Sequence, residues 1–308
     1  MEILLQVILL VLGFIMLAKG ADKFVEGAAG IAAKFGIPQL VIGLTIVAMG
    51  TSAPEAAVSI AAAFSGNADI TIGNIVGSNI LNIWIILGLA AAIVPLAVAR
   101  STIRIEIPFM ILITAILGYQ GLDGTISLTD GLALLLLFLI YLGYLYRMAK
   151  KNKVNENAQE YSYSLGHCLI YTILGLALII LGSQVTVQAA TAIAAYVGLS
   201  QRFIGLTIVA LGTSLPELFT SVAAARKGNA DIAIGNIVGS NIFNILFVIG
   251  ISAMIIDIPF AAAFKFDMMI AIAAALMLML CVLFTKRLER WAGILMLICY
   301  GAYLWYIL

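Results

Sequence analysis

Two glutamates, Glu55 and Glu217, end two copies of a Gly-Thr-Ser-x-Pro-Glu segment, and each copy lies within a strongly apolar run. No lysine or arginine falls within residues 41–65 or 203–225, which surround these segments. An ionised side chain at the centre of a bilayer costs from about 2.5 to 10 kcal/mol or more unless it is compensated. The compensating charge is therefore expected to be mobile, either bound cations or protons.

Both glutamates are accompanied by residues with oxygen ligands, and neither His nor Cys is among them. A set of oxygen ligands suits hard cations. Two carboxylates among six to eight oxygens suit Ca²⁺, and the sequence does not exclude Mg²⁺. The neutral oxygens also suffice to cage Na⁺. The candidate ligands with side-chain oxygens are Glu55, Thr51, Ser52, Ser78 and Asn82 in the first copy and Glu217, Thr213, Ser214, Ser240 and Asn244 in the second. For any single Ser, Thr or Asn, hydrogen bonding between helices is an equally good explanation.

A proline precedes each glutamate inside the apolar run. Proline lacks an N–H and clashes with the carbonyl four residues earlier, which belongs to Gly50 for Pro54 and to Gly212 for Pro216. This predicts a kink around each Thr-Ser pair that frees backbone oxygens to face inward. Such a break is tolerated at membrane depth only inside protein or beside a wet cavity.

The glutamates belong to a longer internal repeat. Residues 41–88 recur as residues 203–250, at an offset of 162 residues, with about 33 of 48 positions identical. The matching helices are the second and the seventh, an odd offset of five spans, so the two copies are expected to cross the membrane in opposite directions. Inverted repeats of this kind are typical of secondary transporters, whose binding sites lie near the midplane.

The composition places these elements in a lipid bilayer. Apolar residues make up 64% of the 308 residues and charged residues 10%, whereas a soluble domain carries about 25% charged residues. We predict an all-α polytopic membrane protein of two inverted five-helix repeats, residues 1–149 and 164–308, joined by a short connector, residues 150–163. The ten predicted helices lie near 3–33, 39–65, 70–98, 105–121, 126–147, 164–196, 203–226, 232–257, 266–285 and 291–308.

Loop charge predicts the orientation and limits the partners. Most lysines and arginines fall in loops after odd-numbered helices, which places the connector in the cytoplasm and both termini outside a cell membrane. The net charge of +1 gives no case for a nucleic-acid partner. The expected partners are the bilayer and the substrates Ca²⁺ and Na⁺, without a cofactor, and a monomer is compatible with this plan.

The GTSxPE and GNxxGSNIxN segments resemble the two alpha repeats of the calcium/cation antiporter superfamily, in its prokaryotic sodium/calcium exchanger branch. The resemblance implies a ten-helix antiporter in which helices two, three, seven and eight enclose the ions, while helices one and six slide past them. It implies calcium binding by Glu55 and Glu217 with the carbonyls of Thr51 and Thr213. Sodium positions would add the carbonyls of Ala48 and Ala210 and the hydroxyls of Thr51, Thr213, Ser78 and Ser240.

The same resemblance separates the competing functions. Potassium-dependent relatives carry Asp where this chain has Asn244, and proton-coupled relatives use a different segment, so Na⁺ coupling is favoured over a proton-driven divalent-cation antiporter. A cation channel would need a continuous pore lined by rings of ligands. No catalytic residues are expected, since Ser52 and Ser214 have no His, Lys or Asp base at motif spacing.

Overall fold

The structure is a computed structural model that describes residues 2–151, 163–198 and 210–307. It consists of helices and four two-residue strands. The helices are α1 Glu2–Phe35, α2 Gln39–Thr51, α3 Ala53–Phe64, α4 Ile70–Ile93, α5 Thr102–Asp123, α6 Leu128–Lys151, α7 Leu165–Tyr196, α8 Ala210–Thr213, α9 Leu215–Arg226, α10 Ala230–Ile255, α11 Ala262–Leu283 and α12 Arg290–Ile307. The strands are β1 Leu96–Ala97, β2 Thr125–Ile126, β3 Ile258–Pro259 and β4 Arg287–Leu288.

The helices form a multi-pass membrane protein, as the composition predicts. Eight of the described helices are long and apolar enough to cross a bilayer, and the pair α2–α3, bent by 50°, makes a ninth span. Large aliphatic side chains cover the outer surface; Leu4 on α1 is 62% exposed and Ile173 on α7 is 66% exposed. The predicted span near 203–226 begins outside the described residues, and α8 and α9 are its described part.

Within the described residues, the predicted helix ends differ from the observed ones by up to five residues, and the strands were not predicted. The run predicted to continue to residue 98 ends at Ile93, because Val94 adopts an extended conformation before Pro95 and β1. Helix α6, which was predicted to end near residue 147, continues through Lys151. Most of the predicted connector, residues 152–162, lies outside the described residues.

The strands join loops from the two halves of the chain. Leu96 pairs with Leu288 in the β1–β4 ladder, and Ile126 pairs with Ile258 in the β2–β3 ladder. The 162-residue offset relates β1 to β3 and β2 to β4, so the two ladders are the same contact formed twice with the halves exchanged. The repeat is therefore visible in the tertiary contacts outside the polar motifs.

Helices α1 and α7 pack against each other through glycines. A Cβ atom added to Gly20 would lie 2.9 Å from the Gly175 carbonyl oxygen, and one added to Gly182 would lie 3.0 Å from the Gly13 carbonyl oxygen. Small residues at such positions let the backbones of two membrane helices approach closely. This pair of helices flanks the polar centre, since α7 also contacts α2 and α8.

Candidate functional site

Each Gly-Thr-Ser-x-Pro-Glu segment interrupts its helix at the serine. Helix α2 ends at Thr51 and α3 begins at Ala53, and the intervening Ser52 has a ψ of 7°. In the second half, Ser214 has a ψ of 5° between α8 and α9. The prolines occupy the first turns of α3 and α9, where a missing N–H costs least. The predicted breaks are confirmed, and they place both glutamates at helix N-termini.

The two breaks are joined by crossed hydrogen bonds. The Ser52 hydroxyl donates to Glu217 Oε1 over 2.8 Å, and the Ser214 hydroxyl donates to Glu55 Oε1 over 3.1 Å. Glu55 is 1% exposed and Glu217 is fully buried. Because each carboxylate bonds to the serine three residues before the other, the two carboxylates lie in the same part of the protein interior. Within the described residues, no lysine or arginine forms an ion pair with either glutamate.

The predicted neutral ligands of the first break gather around the Ala48 carbonyl. That oxygen accepts hydrogen bonds from the Thr51 hydroxyl at 3.3 Å and from the Ser240 hydroxyl at 3.4 Å. Thr51 also lies near Glu217, and Thr213 lies near Glu55. Oxygens from both halves are thus close together. Ala210 begins α8, but its side chain lies outside the described residues.

Two asparagines brace the helices that carry the glutamates. Asn74 Nδ2 donates to the Ser59 hydroxyl at 2.9 Å and to the Glu55 carbonyl at 3.3 Å. Asn236 Nδ2 donates to the Ser221 hydroxyl at 2.9 Å and to the Glu217 carbonyl at 3.5 Å. Asn236 Oδ1 also lies 3.0 Å from the Thr51 hydroxyl, whose single hydrogen is shared between this oxygen and the Ala48 carbonyl.

Four further asparagines form a reciprocal network between α4 and α10. Asn79 and Asn241 each donate to the other's carbonyl, at 3.2 and 3.1 Å. Asn82 donates to Asn241 Oδ1 at 2.9 Å, and Asn244 donates to Asn79 Oδ1 at 3.1 Å. Because Nδ2 of Asn82 and Asn244 is used in this network, the remaining oxygen of each amide has a fixed orientation.

Four buried side-chain oxygens at the centre have no hydrogen-bond partner among the described residues. They are Oε2 of Glu55, Oε2 of Glu217, Oδ1 of Asn82 and Oδ1 of Asn244. Buried polar atoms in folded proteins are nearly always paired, so this concentration of acceptors needs an explanation. Acceptor oxygens cannot donate hydrogen bonds to one another, whereas a bound cation can be shared by several of them.

The structure thus buries the predicted side-chain ligands except Thr213, which is partly exposed, and it places further polar side chains beside them. Ser78, the remaining predicted hydroxyl, is 5% exposed on α4. The partners not predicted as ligands are Ser59, Asn74, Asn79, Ser221, Asn236 and Asn241. All six could have been suspected from the duplicated polar positions, because they form three pairs at the 162-residue offset: Ser59 and Ser221, Asn74 and Asn236, and Asn79 and Asn241.

A π-helical turn begins at each central asparagine, which sequence periodicity does not reveal. These turns are Asn82–Leu87 and Asn244–Ile249. π-helical turns inside α-helices occur frequently at functional sites. A third buried carboxylate was also missed: Glu106 is fully buried on α5 and accepts a hydrogen bond from the Tyr144 hydroxyl.

Fold and site together are those of a polytopic membrane transporter, and comparison with known proteins gives the family. The family model described as "Sodium/calcium exchanger protein" matches residues 5–147 and 167–308. The chain therefore belongs to the sodium/calcium exchanger family.

Relatives and solved structures agree over nearly the whole chain. The putative antiporter CaxA of Alkalimonas amylolytica is 40% identical, with 97% of this chain and 98% of CaxA aligned. The sodium/calcium exchanger MaX1 of Methanosarcina acetivorans is 32% identical, with 96% and 97% aligned. The structure of the sodium-calcium exchanger NCX_Mj soaked with zero Na⁺ and Ca²⁺ superimposes with a TM-score of 0.87 at 34% identity, covering 99% of this chain and all of NCX_Mj.

Proposed function

We propose that this protein exchanges Ca²⁺ for Na⁺ across a cell membrane by alternating access to one site that contains Glu55 and Glu217. The observation that carries the proposal is a set of four unpaired, buried acceptor oxygens, one on each carboxylate and one each on Asn82 and Asn244; neither carboxylate has a basic partner among the described residues. The family and the name of the relative MaX1 agree with these substrates.

The donor set favours a hard cation. Two carboxylates balance one Ca²⁺, and the amide oxygens of Asn82 and Asn244 with the nearby hydroxyls supply neutral ligands. In the Na⁺-loaded form the carbonyl of Ala48 and the hydroxyls of Thr51 and Ser240 form one flanking position. The related set of Ala210, Thr213 and Ser78 forms the other.

Charge neutrality couples the two ions. A site with both glutamates ionised and no cation is costly to move through the membrane interior, so the loaded states are favoured. Each passage then carries either Ca²⁺ or Na⁺, and one ion moves in exchange for the other. Asn244 keeps the site at two negative charges where potassium-dependent relatives would have three.

The chain would do this as ten helices in two inverted halves, residues 1–149 and 164–308. The exchanged strand ladders and the crossed serine–glutamate bonds support this symmetry. Helices α1 and α7, which pack through glycines, would slide along the helices around the site. Loop charge places the connector in the cytoplasm and both termini outside.

Calcium flux into proteoliposomes tests the proposal. We expect ⁴⁵Ca²⁺ uptake to follow an outward Na⁺ gradient, to ignore an imposed pH gradient, and to disappear in Glu55→Gln and in Glu217→Gln. Ser65→Ala is a suitable control, because Ser65 is exposed and its hydroxyl bonds only to the Ala61 carbonyl. Uptake driven by a pH gradient alone would identify a proton-coupled antiporter, and uptake without any counter-ion would identify a channel.

A further inference from the structure

A second polar feature lies far from the glutamates in sequence, where α5 begins and α11 ends. It is a pocket of about 350 Å³ whose lining includes three cationic side chains, Arg100, Arg104 and Lys286. Apolar side chains, among them Ile103, Met279 and Leu283, complete the lining. The pocket therefore combines a concentrated positive charge with a hydrocarbon wall.

The three positive charges have no acidic partner among the described residues. The ion pairs in the described part of the chain are Lys23–Glu26, Lys227–Asp22 and Arg287–Glu289, and none of them involves Arg100, Arg104 or Lys286. Like charges that converge on one pocket repel one another unless an anion lies between them. The pocket is therefore matched to an anionic ligand.

The backbone of Lys286 adopts a conformation that is energetically unfavourable for lysine. Lys286 has a φ of +54° and is the one residue other than glycine with a positive φ in the described chain. Its carbonyl accepts a 2.9 Å hydrogen bond from the Val98 N–H. A left-handed conformation is unfavourable for a residue with a Cβ atom.

The internal repeat provides a comparison for this turn. At the 162-residue offset the counterpart of Lys286 is Gly124, with a φ of +98°, and its carbonyl accepts a 2.8 Å hydrogen bond from the Phe260 N–H. The same turn therefore has the expected glycine in one half and a strained lysine in the other. The counterparts of Arg100 and Arg104 are Ala262 and Phe266, so all three cations are confined to one end of the molecule.

The position of the pocket identifies the class of anion. The apolar spans Thr102–Asp123 and Ala262–Leu283 begin and end beside it, which places the cations at the level of the lipid headgroups. The tendency of cytoplasmic loops to be basic explains positive charge on this side, but not its convergence on one pocket or a lysine where the repeat has glycine.

We propose that this pocket binds the phosphate headgroup of an anionic phospholipid from the adjoining leaflet. Arg100, Arg104 and Lys286 contact the phosphate, and the acyl chains lie along Ile103, Met279 and Leu283. A free phosphate ion would use the same cations but would leave the apolar wall without a role.

Native mass spectrometry of the purified protein with added phosphatidylglycerol or phosphatidylcholine tests this site. Each basic side chain near an anionic surface contributes about fivefold in affinity, so Arg100→Gln/Arg104→Gln/Lys286→Gly is expected to lose about 100-fold in phosphatidylglycerol binding. The matched control is Lys34→Gln/Lys150→Gln/Arg226→Gln, which removes three charges from the same predicted side. An equal loss in both triple variants would overturn the proposal.

The single variant Lys286→Gly separates loss of binding from loss of folding, because glycine adopts the left-handed conformation of this turn without strain. We expect it to unfold at the same or a higher temperature than the wild type while binding phosphatidylglycerol about fivefold more weakly. Unchanged binding in this variant contradicts the proposal. So does efficient competition by millimolar inorganic phosphate, which would identify a free anion as the ligand.

Discussion

The hydroxyl of Ser52 donates a 2.8 Å hydrogen bond to Glu217, which lies 165 residues further along the chain. Ser214 donates in the same way to Glu55, at 3.1 Å. Each glutamate is therefore oriented by the helix break of the opposite half. A displacement of one break relative to the other changes the surroundings of both carboxylates at once, which couples the two halves at the site.

The crossed bonds predict that the two serines contribute equally to transport. Hydrogen bonds to charged groups contribute about 1.5–3 kcal/mol, so Ser52→Ala and Ser214→Ala are each expected to lower Na⁺-driven Ca²⁺ uptake by about tenfold or more. Initial rates in proteoliposomes, normalised to protein content, measure the effect. Rates like that of the Ser65→Ala control in either variant would show that the crossed bonds do not orient the acids.

The helix breaks could be predicted from the sequence, but the hydrogen bonds that join them could not. Pro54 and Pro216 predict the interruptions, because the missing N–H and the clash of the proline ring affect only the preceding turn of the helix. That Ser52 would reach Glu217, rather than the glutamate three residues along in its own segment, depends on how α2 and α9 cross. Spacing along one helix contains no information about that crossing.

The central asparagines illustrate the same limit. Their duplication marked Asn82 and Asn244 as polar positions in apolar helices, yet only the structure shows that Asn79 and Asn241 occupy one side of each amide. The π-helical turns that begin at Asn82 and Asn244 also have no sequence signal. Glu106 was overlooked because it follows a basic loop, and its counterpart in the repeat is Met268.

Replacing Asn244 by Asp is expected to make transport depend on pH. The amide Nδ2 donates to Asn79 Oδ1, a role that a protonated carboxyl group can take over and an ionised one cannot. Ionisation would also add a third negative charge to the buried site. In Asn244→Asp, Na⁺-driven Ca²⁺ uptake should therefore be weak at alkaline pH and recover as the pH falls.

Uptake measured at equal pH on both sides of the membrane, over a range of pH values, tests this expectation. The wild-type protein is the control, and Asn82→Asp should behave in the same manner because Asn82 donates to Asn241 in the equivalent way. A pH profile of Asn244→Asp that parallels the wild type would count against a central position for this side chain.

Substitution of Gly175 is expected to separate α1 from α7. A Cβ atom at Gly175 would lie 2.5 Å from the Phe24 backbone nitrogen and 2.8 Å from the Gly20 carbonyl oxygen, and neither backbone atom can yield without moving α1. Overpacking of this kind costs about 1–3 kcal/mol. Thermal unfolding in detergent should therefore show a lower midpoint for Gly175→Ala.

The control for this change is Gly143→Ala on α6, where an added Cβ has no heavy atom within 4 Å. Alanine favours a helix over glycine by about 1 kcal/mol, so Gly143→Ala should unfold at the same or a higher temperature than the wild type. Equal midpoints for Gly175→Ala and Gly143→Ala would argue against close packing of α1 on α7.

Lys227 joins the end of α9 to α1 and is expected to restrain the proposed sliding of α1. Its Nζ donates to the Asp22 carbonyl oxygen at 2.7 Å and lies 3.6 Å from the Asp22 carboxylate. The counterparts in the repeat are Ser65 and Gln184, so the contact has no equivalent at the other end of the site. A partly exposed ion pair contributes up to about 1 kcal/mol, which corresponds to a change of about fivefold in a conformational equilibrium.

Lys227→Gln removes both interactions and should raise the turnover of Ca²⁺ exchange by up to about fivefold if movement of α1 limits the cycle. Asp22→Asn retains the bond to the carbonyl and should have a smaller effect, so the two variants separate the charge from the backbone contact. Exchange rates measured at low and high ionic strength provide a further check, because screening weakens the ion pair of the wild type. Lower turnover in Lys227→Gln than in the wild type would show that this contact supports transport instead of restraining it.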